Sequence, residues 1–217
     1  PGHNRVYYLE SEQLALAELK LTCQRFAQSC EHIESLDLAG INYLSFTVEN
    51  PLSNTELTWL SRLSFIFALF QQASDAHDSA LLPVALTTPA YIDPKISMLL
   101  KYSGKTNEIF TRMMINVGLL SSDFQYDDSI QLLDPVAGKG TTLFEGATSG
   151  FAVTGVELER KLVHDATLFF KKFMEREKYK HTLSKRSMYS SPEGAEAFIQ
   201  DFQYARDKQG FKSERSE

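Results

Sequence analysis

The sequence predicts an α/β fold: a small α+β module followed by the opening half of a parallel, doubly wound sheet. Three observations predict it. Ile130 to Leu133 reads as a central strand buried on both faces. A glycine-rich turn, Asp134-Pro135-Val136-Ala137-Gly138-Lys139-Gly140-Thr141, then leads into a helix, and Val153 to Val156 forms a second strand ending at Glu157. Upstream, residues 1–88 alternate strand, helix, strand, helix, strand.

Arg5 to Glu10 is rich in residues that favour extended structure. Ser11 opens a helix with an acidic first turn that runs to about Cys30. Ile41 to Val48 alternates aromatic and β-branched residues as a strand does, and Asn50-Pro51 ends it. Asn54 or Thr55 starts an apolar helix through Trp59, Leu63, Phe67 and Phe70, whose helical spacing makes its aromatics core residues. Ser74 to Asp78 is a polar turn, and Ala80 to Thr87 is extended. Pro89 and Pro94 punctuate a linker that continues through Ile96 to Tyr102. A helix follows from Glu108 to about Leu120, then a polar loop from Ser121 to Asp128. Residues 89–128 are thus linker and helix, and residues 129–217 hold the strand–turn–helix–strand unit. After it come a charged helix from Glu159 to about Tyr179, a polar loop from Ser184 to Pro192, a helix over Ala195 to Arg206, and an unstructured tail from Lys208.

The chain has 217 residues and a net charge of -6. From Glu159 to Arg186 nine Lys or Arg face four Asp or Glu, a local +5, which leaves -11 for the rest. One basic face on an acidic body suits contact with a polyanion at a single place. The two cysteines, Cys23 and Cys30, fall on the first predicted helix, two turns and about 10 Å apart, too far for a disulfide. They read as buried thiols in a reducing compartment. No apolar run reaches the roughly 20 residues of a membrane span and no signal peptide is evident, so a cytoplasmic location without membrane contact is expected. His3, His32, His77, His164 and His181 are scattered without the spacing of metal ligands.

The glycine turn carries the chemistry. Asp134 leaves the sheet at a strand's carboxyl end, where open α/β sheets bind ligands. Gly138 and Gly140 let the backbone turn sharply and let a ligand lie against it. Thr141 and Thr142 start a helix whose free N–H groups face the same crevice. Glu157, twenty-three residues after Asp134, is placed to accept hydrogen bonds from a ribose diol. A phosphate-binding loop would need Ser or Thr after Lys139, where Gly140 stands. A dinucleotide fingerprint would need a third glycine where Leu143 stands. The pattern is that of a nucleoside ligand.

Asp134-Pro135-x-Ala137-Gly138-x-Gly140-Thr141 resembles motif I of the Rossmann-fold S-adenosylmethionine-dependent methyltransferases. It is closest to the version in RNA guanosine and DNA amino-methylases. The resemblance implies that Asp134, Pro135, Ala137, Gly138, Gly140 and Thr141 lie under the methionine part of the cofactor, and that Glu157 holds its ribose hydroxyls. Lys105-Thr106-Asn107-Glu108 resembles the segment before motif I in tRNA methylases of the THUMP-associated type, which implies contacts from Thr106 and Asn107 to the cofactor's carboxylate tail. The implied fold is an incomplete Rossmann-type methyltransferase domain preceded by an α+β, ferredoxin-like module. The implied activity is methyl transfer to a nucleic-acid base, RNA before DNA.

The amino-methylating members also carry a later Asp/Asn/Ser-Pro-Pro-aromatic loop that orients the target nitrogen and stacks on the extruded base. This chain has no Pro-Pro pair, and its 60 residues after Glu157 supply none of the further strands of a doubly wound sheet, which needs about five. The catalytic half is therefore expected to lie outside this chain, and the chain alone to be inactive. Three explanations stay open: a piece of a longer enzyme, a subunit completed by a partner chain, or a non-catalytic module that binds the cofactor or a nucleotide. An unpaired half-sheet exposes an edge and an apolar face, so a homo-oligomer or a partner chain is expected.

Overall fold

A computed structural model of the chain describes residues 11–72, 80–86, 90–126, 129–190, 196–205 and 210. It is mixed α/β, and each sheet among the described residues has two strands. The strand expected over Arg5–Glu10, the turn expected at Ser74–Asp78, and the tail from Lys208, Gly210 apart, lie outside those residues. The chain divides into two compact units, residues 1–89 with 104–130, and residues 90–103 with 131–217. The stretch 89–128, read from the sequence as one linker and helix, is thus divided between them.

In the first unit, α1 spans Ser11–Cys23 and ends seven residues before the expected limit. Phe26 N–H bonds to Cys23 O and Arg25 N–H to Thr22 O, tightening the last turn until the chain leaves the helix. Cys30 instead begins β1 (Cys30–Leu38), which pairs antiparallel with β2 (Ile41–Val48). The two-residue hairpin turn puts Ala39 at φ 54 and Gly40 at φ 78, the positive values such a turn requires. Asp37 Oδ1 accepts from Gly40 N–H at 3.0 Å and braces it. An Ala at the first turn position is a weak hairpin signal, and so this strand is hard to read from the sequence. The cysteines are corrected with it: they lie on two elements, their Sγ atoms 2.9 Å apart rather than two helical turns.

Ser53 caps α2 (Asn54–Ser61) through a capping box with Glu56. The helix stops well short of Phe67 and Phe70. Phe67 is 94% exposed, and Phe70 lies in β3 (Leu69–Gln72), so neither is a core residue of that helix. β3 pairs antiparallel with β4 (Leu81–Val84), where Pro83 is tolerated because neither strand has a second neighbour among the described residues. Leu19, Cys23 and Leu60 form the buried centre, covered by Ile33, Leu44 and Phe46 from the hairpin. The segment 90–103 of the other unit holds α3 (Lys95–Leu99). The chain then returns with α4 (Glu108–Leu120), over the predicted range and capped by Asn107. Glu18 is fully buried in this unit and accepts from Ser64 N–H at 3.1 Å, Ser64 Oγ–H at 2.5 Å and Asn116 Nδ2–H at 2.7 Å.

The second unit holds β5 (Gln131–Asp134), α5 (Thr141–Thr148) and β6 (Ala152–Gly155). The two strands run parallel, with Asp134 opposite Gly155. α6 (Arg160–Arg176) follows, and α3 joins it in the core. Ile92, Ile96, Leu100, Phe144, Ala147, Phe170, Phe173 and Met174 pack together there. Residues 180–190 and 196–205 differ from expectation, while Ser191, Pro192, Ala195 and Arg206 lie outside the described residues. Instead of a loop and a helix, β7 (Lys180–Ser190) and β8 (Glu196–Ala205) pair as long antiparallel strands. Phe198 and Phe202 have helical spacing, but Phe202 and Tyr204 have strand spacing, and the latter pair meets Phe170 at 4.9 and 5.3 Å between ring centroids. The half-buried aromatics pack on Phe170 at strand spacing, in keeping with the preference of such residues for extended structure. No helix among the described residues is long and apolar enough to cross a membrane.

Candidate functional site

The glycine turn joins β5 to α5 wholly within the second unit. Asp134, half-buried at the strand end, accepts from Val136 N–H through Oδ1 at 3.0 Å, starting the turn as an Asx-type bend. Ala137 N–H then bonds to Val156 O at 2.9 Å, and Val156 N–H to Asp134 O at 2.8 Å. The loop is thereby sewn to the end of β6. Gly155 lies under it: a Cβ there would stand 2.6 Å from Leu143 Cδ1 and 2.8 Å from Ala137 Cβ. Only a glycine lets strand and loop approach so closely.

Gly138 and Gly140 both adopt positive φ, 54 and 87. A Cβ at Gly138 would meet nothing within 4 Å, so space is open over the loop backbone at that residue. Gly140 is the N-cap of α5, and the first intrahelical bond runs from Phe144 N–H to its carbonyl at 2.9 Å. The N–H groups of the first turn precede that bond and lead out of the helix's amino end. Pro135 is exposed, while Ala137 and Thr141 are buried. Thr141 Oγ1 lies 3.2 Å from Tyr102 Oη.

Glu157 is the electrostatic anchor. Its Oε1 accepts from Glu159 N–H at 2.8 Å and its Oε2 from Gly138 N–H at 2.8 Å. These backbone donors, Glu159 first and Gly138 next, hold its carboxyl below the usual carboxylate range. The residue is thus charged, fixed in direction and tied to the glycine loop. Each oxygen keeps further acceptor capacity for a diol.

The predicted residues Asp134, Pro135, Ala137, Gly138, Gly140, Thr141 and Glu157 are therefore brought together in one loop-and-strand-end arrangement. Thr106 and Asn107 belong to the first unit. Asn107 Oδ1 accepts from Phe110 N–H at 3.0 Å as the cap of α4, Thr106 is exposed, and Lys105 pairs with Glu108 at 2.9 Å.

Three residues around the loop were not singled out from the sequence. Lys139, between the two glycines, pairs with Asp165 on α6 at 2.9 Å and lies 5.4 Å from the Tyr102 ring centre. The lysine holds Asp165 below its ordinary range. Lys139 stands in the motif itself and was open to notice. Asp165 and Tyr102 are 26 and 37 residues away from it, with no local spacing to betray them. The basic side chains Lys171, Lys172, Arg176, Lys178 and Lys180 are all exposed, on α6 and just after it.

Comparison with protein-family models, with curated proteins and with solved structures finds no match to this chain.

Proposed function

We propose that the glycine loop binds S-adenosylmethionine and that the chain is the cofactor-binding part of an incomplete Rossmann-type methyltransferase domain, acting on a nucleic-acid base, RNA before DNA. The observation that carries this reading is the bond from Gly138 N–H to Glu157 Oε2. It joins the loop that would lie under the methionine portion to the carboxylate that would take the ribose hydroxyls. The cofactor supplies an already activated methyl group, so the protein's task is alignment. Gly138 leaves room for close approach, the amino end of α5 offers N–H donors, and Glu157 fixes the sugar. The exposed lysines along α6 supply the charge for a phosphate backbone. The preceding α+β, ferredoxin-like module would be the companion of such a domain.

A second reading, a non-catalytic module that binds S-adenosylmethionine or a nucleotide and works with a partner chain or a second copy, is favoured by one observation. The parallel sheet among the described residues has two strands. Both readings predict selective calorimetric binding of S-adenosylhomocysteine, with ATP and NAD as controls. Binding lost in Asp134→Ala and Glu157→Ala supports the site. Equal binding by parent and both variants, or preference for ATP or NAD, removes it. Methyl transfer to RNA by the chain, alone or with a partner, separates the enzyme from the module.

A further inference from the structure

Cys23 closes α1 and Cys30 opens β1, and the six residues between them fold the chain back so that the two Sγ atoms stand 2.9 Å apart. Cys23 is 5% exposed and Cys30 half-buried. A shallow cleft of about 600 Å³, lined by Lys20, Cys23, Gln24, Phe26, Cys30 and His32, opens onto the pair. These are the chain's only cysteines. We propose that Cys23 and Cys30 form a dithiol that a low-molecular-weight disulfide, such as oxidised glutathione, converts into an intramolecular disulfide.

The sulfurs need to close by less than 1 Å to reach the roughly 2.05 Å of an S–S bond. Cys30, the accessible thiol, gives up its proton and its Sγ attacks one sulfur of the small disulfide. That S–S bond breaks, the first small thiol leaves and takes up a proton, and Cys30 carries a mixed disulfide. Cys23 Sγ, deprotonated in turn, then attacks Cys30 Sγ, forms the 23–30 bond and expels the second small thiol, which is also protonated. Two electrons pass from the two cysteines to the small disulfide. Burial raises both thiols, so the reduced pair rests protonated.

The ring so closed contains side chains that organise the unit. Arg25 donates to the carbonyls of Leu119, at 2.9 Å, and Ser122 at the carboxyl end of α4. Gln28 donates to the Glu56 carboxylate and accepts from Asn50 N–H at 2.9 Å. Oxidation would therefore lock the bend that ties α1, α2 and α4 to the hairpin.

The test is incubation of the whole folded chain with oxidised glutathione, followed by unfolding, alkylation and mass spectrometry. The parent should lose both alkylation sites without gaining glutathione. Cys23→Ser should stall with glutathione on Cys30, and Cys30→Ser should take up none. The oxidised parent should melt several degrees higher than the reduced one. Two thiols still open to alkylation, a persistent glutathione adduct on the parent, or a disulfide between chains would each overturn the proposal. Cys23→Ala replaces Cys23→Ser if a hydroxyl in that core prevents folding, and the parent's own alkylation pattern decides without either variant.

Discussion

Glu18 and Glu157 both accept backbone N–H groups, yet their surroundings are opposite. In the first unit Glu18 is sealed among Ser64 and Asn116, and burial outweighs those hydrogen bonds to raise its carboxyl above the ordinary range. In the second unit Glu157 stands at the end of β6, and the amides of Glu159 and Gly138 lower its carboxyl. The hydrogen bonds are alike and the solvent is not. A carboxylate that water still reaches keeps its charge and acceptor capacity for a ligand, whereas a sealed one spends all its oxygens on architecture.

The largest expected effect comes from cutting the sealed network. Glu18→Ala strands Ser64 N–H, Ser64 Oγ–H and one Asn116 amide proton, at a cost of about 3 kcal/mol to the first unit. Trp59, the chain's single tryptophan, is buried in that unit, so urea unfolding followed by its fluorescence reads the loss. A loss under 1 kcal/mol would show that water or a rearranged Asn116 replaces the carboxylate. Gly155→Ala strikes the other region. Its Cβ would press on Leu143 and Ala137, and overpacking of this kind costs about 1–3 kcal/mol. Faster amide exchange across β5 and β6, with weaker S-adenosylhomocysteine binding, is the expected result. Unchanged exchange would mean that the loop shifts freely away from β6.

The two regions also differed in how well the sequence announced them. The loop was legible because its demands are local: two positive-φ glycines, an acid at each strand end and a helix start lie within 24 residues. Strand Ile41–Val48 and helix Glu108–Leu120 were legible through alternation and periodicity. Glu18, by contrast, meets partners 46 and 98 residues away, and no local rule selects it rather than Glu12 of the same helix as the buried one. The same holds for β1, whose signal lay in an Ala-Gly turn, and for β8, where Phe202 and Tyr204 answer to Phe170 on another element. Partners distant in sequence decide Glu18 and β8, and a weak turn signal hides β1.

The proposed ligand role of Glu157 is sharpened by the isostere. Glu157→Gln keeps the shape but turns one acceptor into a donor, so either Gly138 N–H or Glu159 N–H faces an NH₂ group. S-adenosylhomocysteine binding should weaken about tenfold, since a hydrogen bond to a charged acceptor is lost. Equal affinity in calorimetry would mean that the carboxylate serves the loop alone. A smaller effect is expected from Lys171→Glu with Lys172→Glu and Lys178→Glu. RNA binding should weaken and its salt dependence flatten, because fewer counterions are released. Unchanged affinity and slope would move the nucleic acid to another face.

The smallest effect, and the most direct test of the contrast, is the sign of each glutamate's pH dependence. Glu18 has a raised carboxyl in the folded state. Its contribution is fully present below the unfolded value, and it is lost as pH rises through the folded one. Glu157 has a lowered carboxyl, so its contribution is present above the unfolded value and is lost as pH falls through the folded one. Each Gln variant removes its own slope, so the parent-minus-variant difference isolates it. From about pH 4 to pH 7, that difference should decline for Glu18→Gln, followed through Trp59 fluorescence. It should rise toward a plateau for Glu157→Gln, followed through amide exchange of the β5–β6 pair. Two slopes of the same sign would mean that solvent reaches both carboxylates alike, and the division between a sealed acid and a solvent-facing one would fall.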